Sequence, residues 1–247
     1  MINPVAFHIG SLEIRWYGII FAMAFFIGIL MAAKLARKKN ISKETIYDFA
    51  VWLIPSSIIG ARLGHVLGNI DYYSNNPAEI IAIWHGGVAL FGGIFGAALA
   101  AILFCRKKKL NFFDLADIFV IPLAFGTIFG RIGNFINQEL YGKITSLPWG
   151  IYFDNVAGRR HPTQIYEAIG NLIVFLALMF LWKRNAKTGT VFFSYIALYS
   201  FIRFFAEFLR DGKIFALGLT LMQLIIIPVF IASAYYIYKI NKKTPLS

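Results

Sequence analysis

The chain has 247 residues, of which 59% are hydrophobic and only 15% charged, with a mean hydropathy of +0.67. A soluble domain carries about a quarter charged residues, so a soluble globular fold is excluded and an all-α, multi-pass membrane protein is expected, as a single integral domain over residues 1–247. The formal charge of +12 would suit a nucleic-acid partner, but the bases sit in short loops between apolar runs, so nucleic acid is not expected.

A membrane-crossing helix needs about 20 mostly apolar residues. Candidate spans fall near 17–35, 47–69, 82–105, 115–137, 163–182, 190–209 and 215–239, which makes a seven-span helical bundle. Arg15 is the only base ahead of the first span, and no cleavage site precedes it, so that span is expected to stay. KLARKKNISKE follows it. The second span carries Arg62 and His65, three residues apart and on one helix face, and DYYSNNPAEI, without a base, comes after it. The third begins in WHGGVALFGGIFGA, with His85 at its rim, and ends at Cys105 before RKKK. A lone cysteine there excludes an internal disulfide framework and reads as a helix-end filler.

The fourth span closes in GRIGNFINQELYG, residues 130–142. At about 100° per residue, Gly126, Gly130, Gly133 and Asn137 form one stripe, and Arg131, Asn134 and Gln138 a second beside it. The glycine stripe predicts close approach of another helix. The polar stripe has no such explanation. An arginine in hydrocarbon costs roughly 2.5–3.5 kcal/mol on insertion scales, so Arg131 must meet an anion. A long connection, 143–162, with Trp149, Tyr152 and Phe153, predicts a folded cap on the outer side.

KRNAK follows the fifth span. In the sixth, Arg203, Glu207 and Arg210 share one face. Either they form an ion pair within the helix, or Arg203 is a second basic group converging with Arg131. The tail holds Lys239, Lys242 and Lys243. The bases therefore alternate between loops, which puts the N-terminus outside and the C-terminus in the cytoplasm.

Arginine offers planar, always-charged, bidentate recognition of phosphate. Several arginines inside an apolar bundle point to an anionic ligand that itself lives in the membrane, such as a phospholipid headgroup. The alternative is a multi-pass transporter or lipid-binding protein that holds an anion on the same arginines without chemistry. No cluster of histidines, cysteines and carboxylates predicts a metal, and no cofactor is expected.

IRWYG at 14–18, GGVALFGG at 86–93, GRIGNFINQELYG at 130–142, RHPTQIYE at 160–167 and RFFAEFLRD at 203–211 occur in this order. Together they resemble the signature stretches of the prolipoprotein diacylglyceryl transferases, over nearly the whole chain. The resemblance implies a seven-span enzyme of the bacterial cytoplasmic (inner) membrane with its site open to the outer leaflet. It implies that the diacylglyceryl group of phosphatidylglycerol passes to the thiol of a lipobox cysteine in a prolipoprotein signal peptide, with glycerol 1-phosphate leaving. This would be the first step of bacterial lipoprotein maturation, with membrane lipids as the other partners.

By the same resemblance Arg131, Arg203, Asn134 and Tyr17 are catalytic, the two arginines also binding the headgroup. Glu139, Glu207, Gly142 and His161 are expected to bind substrate, and so is Arg62, on its place as a further arginine inside the second span. One position departs from the pattern: many members of the family have a histidine, the base for the thiol, where this chain has Phe91. The thiol is then expected to be activated by a carboxylate or stabilised as thiolate by the arginines.

Overall fold

The structure, a computed structural model, describes residues 3–242. Lys243 of the basic tail lies outside the described residues. Among these, seven helices are long and apolar enough to cross a membrane, and the chain is a mostly helical, multi-pass membrane protein. They are α1 (Trp16–Ala36, continued by a 3-10 turn to Lys39), α2 (Lys43–Gly68), α4 (Leu90–Lys108), α5 (Phe112–Ile136), α6 (Thr163–Lys183), α7 (Thr190–Leu209) and α8 (Leu221–Lys242). A short α3 (Ile70–Asn75) follows α2. Three small antiparallel pairs complete the fold: β1 (Val5–Ile9) with β2 (Leu12–Arg15), β3 (Ile151–Tyr152) with β4 (Arg159–Arg160), and β5 (Ile214–Ala216) with β6 (Leu219–Thr220).

Two of the expected spans start later than the apolar pattern alone suggests. The third begins at Leu90 and not near 82, because Gly86 and Gly87 take φ of +83° and +79°, a left-handed backbone that no α-helix continues through. The last begins at Leu221 because residues 214–220 turn back as the β5–β6 hairpin through Leu217 and Gly218, both with positive φ. Thr220 and Gln223 then start α8 with a reciprocal cap. The Thr220 backbone N–H donates to Gln223 Oε1 at 2.9 Å, and the Gln223 N–H donates to Thr220 Oγ1 at 3.3 Å.

The chain divides into two compact units. The unit Ala33–Leu115 is organised by α2 and α4, whose glycines face each other. A Cβ added to Gly64 would lie 2.9 Å from the Gly92 Cα, and one added to Gly60 would lie 3.0 Å from the Gly96 Cα. Backbone therefore meets backbone, the contact that small residues allow in lipid, where apolar burial gives helices little reason to associate.

The other unit comprises residues up to Ala32 and from Ala116 onward. Here the buried Asp117 of α5 accepts the N–H groups of Gly189 and Phe192, each at 2.7 Å, and so holds the start of α7 with a carboxylate. An anion at a helix N-terminus satisfies both its free N–H groups and its dipole. Gly170 of α6 lets Ile202 of α7 approach, since a Cβ there would sit 2.7 Å from Ile202 Cγ2. Phe193 of α7 stacks on Tyr236 of α8 with ring centres 4.8 Å apart. These contacts pack α7 against α5, α6 and α8.

The glycine stripe expected on α5 does not pack as a unit. A Cβ at Gly126 or Gly130 would meet nothing within 4 Å, and only at Gly133 would it collide, 2.7 Å from Tyr17 Cδ2. The tight helix pair lies between α2 and α4.

Candidate active site

The α5 helix ends at Ile136, and the residues after it turn sharply: Gln138 and Leu140 have φ of +58° and +59°. Gln138 therefore leaves the expected stripe. It donates from Nε2 to Asp154 Oδ2 at 2.6 Å and accepts the Asp154 N–H, pinning the 143–162 connection to the end of α5. Gly142 then joins a short ladder. Its N–H donates to the His161 carbonyl at 2.8 Å, and the Lys143 N–H to the Leu209 carbonyl at 2.8 Å. A side chain at Gly142 would press on His161 Cβ and Thr163 Cγ2, both 2.8 Å from its Cβ. The first turn of α6 secures the same turn. Thr163 Oγ1 donates to the Leu140 carbonyl at 2.8 Å and Gln164 Nε2 to the Glu139 carbonyl at 2.6 Å.

This backbone frame brings three helices to one carboxylate. Glu167 of α6 is 2% exposed. Arg131 Nη2 lies 2.7 Å from its Oε2, while Arg210 Nη1 and Arg203 Nη1 lie 3.0 and 3.4 Å from its Oε1. Arg203 Nη2 also meets Glu207 Oε2 at 2.7 Å, and Thr220 Oγ1 donates to Glu207 Oε1 at 3.2 Å. The intrahelical Arg203–Glu207 pair and the convergence with Arg131 are thus both present.

The protein itself supplies an anion for Arg131, as Glu167. A lone glutamate near the start of a predicted span looks like an ordinary first-turn acid. The signal that could have found it is its place in RHPTQIYE together with a helix that offers no base before Lys183 in its last turn.

Around the cluster the other candidates take definite positions. Asn134 donates from Nδ2 to Glu139 Oε1 at 2.7 Å. Tyr17, in the first turn of α1, packs against Gly133 and lies within electrostatic reach of both Glu139 and Arg131. His161 Nδ1 is 3.3 Å from the Tyr166 hydroxyl, which also accepts from Trp149 Nε1 at 2.8 Å. A cavity of about 340 Å³ opens beside the cluster, lined by Leu140, Tyr141, Arg203, Glu207, Arg210 and Asp211.

Arg62 does something different. All five of its N–H donors are taken by backbone carbonyls of the connection between α3 and α4. Nε donates to Ile80 at 2.9 Å, Nη1 to Gly86 and to Gly87 (2.9 Å), and Nη2 to Glu79 and to Ala82 (3.2 Å). Buried, and 5.3 Å from the Tyr73 ring centre, it has no N–H left for a headgroup. It holds a loop whose own regular structure is two short 3-10 helices, Pro77–Ile81 and Ile83–His85. In the same unit, His85 is paired through Nδ1 to Glu79 Oε2 at 2.8 Å, and Phe91 is exposed in the first turn of α4.

This multi-pass membrane protein thus gathers three arginines and two glutamates beside a cavity. The family described as prolipoprotein diacylglyceryl transferase matches residues 4–239, and the chain belongs to it. The phosphatidylglycerol–prolipoprotein diacylglyceryl transferase of Finegoldia magna is 42% identical, over 98% of this chain and 97% of that protein. The proteins of that name from Listeria welshimeri and Geobacter sulfurreducens are 39% and 38% identical, over 86% and 93% of this chain and 80% and 92% of theirs.

Proposed function

We propose that this chain transfers the diacylglyceryl group of phosphatidylglycerol to the thiol of a prolipoprotein, at the lipobox cysteine of its signal peptide. It works in the bacterial cytoplasmic membrane, with its N-terminus outside, its C-terminus in the cytoplasm and its site toward the outer leaflet. The sulfur forms a bond to the terminal glycerol carbon of the lipid, and the carbon–oxygen bond to phosphate breaks. The electron pair leaves on the phosphate oxygen, so a phosphodiester becomes glycerol 1-phosphate and the thiol proton must go to a base.

The observation that carries this reading is the convergence of Arg131, Arg203 and Arg210 on Glu167 beside a cavity. Arg131 and Arg203 hold the headgroup phosphate and stabilise the charge that grows on it as the bond breaks. In a site of low dielectric, preorganised donors of this kind contribute about 10²–10³ in rate apiece. Glu207, fixed by Thr220, aims Arg203. Gly142 and His161 set the backbone turn that carries Glu139. Asn134 orients Glu139, and Tyr17 closes the site over Gly133. Among the described residues Glu139 is the carboxylate of the site without an arginine partner, so it takes the thiol proton in place of the histidine that Phe91 replaces. Arg62 supports the α3–α4 connection.

Purified protein given phosphatidylglycerol and a lipobox peptide should release glycerol phosphate and raise the peptide's mass by one diacylglyceryl unit. A peptide of unchanged mass, with the lipid intact, would overturn the reading.

A further inference from the structure

Charge, counted over the ion-paired cluster, limits what the site can hold. Arg131, Arg203 and Arg210 bring three positive charges, and Glu167 and Glu207 two negative ones, which leaves a single positive charge. Glu139, hydrogen-bonded to Asn134 next to the cluster, can only reduce that remainder. A phosphodiester carries one negative charge and lies nearer that limit. A phosphomonoester carries roughly −1.5 to −2 at neutral pH and exceeds it. The transfer reaction converts the first kind of ligand into the second.

Glu167 sets this limit. It is 2% exposed and both its oxygens are engaged, Oε2 by Arg131 and Oε1 by Arg203 and Arg210. An arriving phosphate shares those guanidinium groups with a carboxylate already in place. The second charge of a monoester is then repelled by that carboxylate in surroundings where water screens little. We propose that Glu167 is a specificity and product-release residue: it tunes the arginine cluster to monoanionic phosphodiesters and keeps the phosphomonoester product from being retained. Glu167 acts through the arginines and is a positioning residue. The inference rests on the transferase reading given above.

Calorimetry on the detergent-purified protein, with glycerol 1-phosphate and its methyl phosphodiester as probes, tests it. The wild type should bind the diester at least as tightly as the monoester. Glu167→Gln, of the same shape without the charge, should move the ratio toward the monoester by at least about tenfold. Glu167→Asp, which keeps the charge, should not move it. A merely structural role would weaken both ligands alike.

An unmoved ratio in Glu167→Gln, an equal shift in Glu167→Asp, or no binding of either probe to the wild type overturns the proposal. Should Glu167→Gln fail to fold, the wild type decides. A monoester bound about tenfold more tightly than the diester, a difference of about 1.4 kcal/mol, overturns the proposal, and the opposite order supports it. Failure of the transferase reading itself would appear separately, as an unmodified peptide in the wild-type assay.

Discussion

Arg131 on α5 and Glu167 on α6 meet at 2.7 Å, and two arginines of the α7 segment, Arg203 and Arg210, close on the same carboxylate from the other side. This contact ties the three arginines to α6. Breaking a buried ion pair from one side leaves an uncompensated charge, at a cost of about 3–5 kcal/mol. Glu167→Ala should therefore lower stability by about that amount, read as a fall in the denaturation midpoint in detergent. A midpoint within error of the wild type would mean that the three arginines are adequately solvated without it.

Arg131→Ala and Arg203→Ala should each reduce transfer by about 10²–10³ or more while the protein still elutes as a folded species. Lysine at either position should recover only part of the activity, because a point charge replaces a planar fork. Turnover measured with phosphatidylglycerol and a lipobox peptide checks this. Full activity in either alanine variant would remove that arginine from the phosphate clamp.

Glu139→Gln should abolish most turnover yet leave lipid binding in place, if Glu139 receives the thiol proton. Phe91→His should then give no large gain, since the base is already present. A strong gain from Phe91→His together with an active Glu139→Gln variant would assign the proton to another group. Comparing kcat with KM for both variants separates loss of the base from loss of binding.

Arg62→Lys should loosen the connection between α3 and α4. Lysine has three donors, against five carbonyls now served by Arg62. Hydrogen exchange of residues 76–87 should speed up in the variant. Unchanged exchange would show that the loop holds itself.

Gly92→Ala should be costly, because the added methyl would strike the α2 backbone 3.0 Å away at the Gly64 Cα. Gly126→Ala, where a Cβ meets nothing within 4 Å, should leave the melting temperature unchanged or slightly raised. Equal losses in the two variants would contradict the α2–α4 backbone contact.

Much of the architecture was legible in the sequence. Apolar length set the seven spans, and the one from 190 to 209 coincides with α7 to the residue. The polar residues near the ends of spans four and six located Arg131, Asn134, Arg203 and Glu207, because charge in hydrocarbon is too costly to be incidental. Local chemistry misled at the α5 glycine stripe, where Gly126 and Gly130 meet no neighbour, and where apolar runs hid a turn. Gly86 and Gly87 stop a helix before Leu90, and the β5–β6 hairpin delays α8 to Leu221.

What the sequence could not give was pairing across helices. Glu167 lies 36 residues from Arg203 and 43 from Arg210 along the chain, and no periodicity links them. Nor could it separate Arg62, with every donor spent on carbonyls, from Arg131, which faces a carboxylate. Composition and span length are summed along a chain, so the sequence by itself determined a helical membrane protein with arginines inside its spans. Ion pairs depend on which side chains approach within a few ångströms, so only the tertiary structure decided that Glu167 is the anion they share.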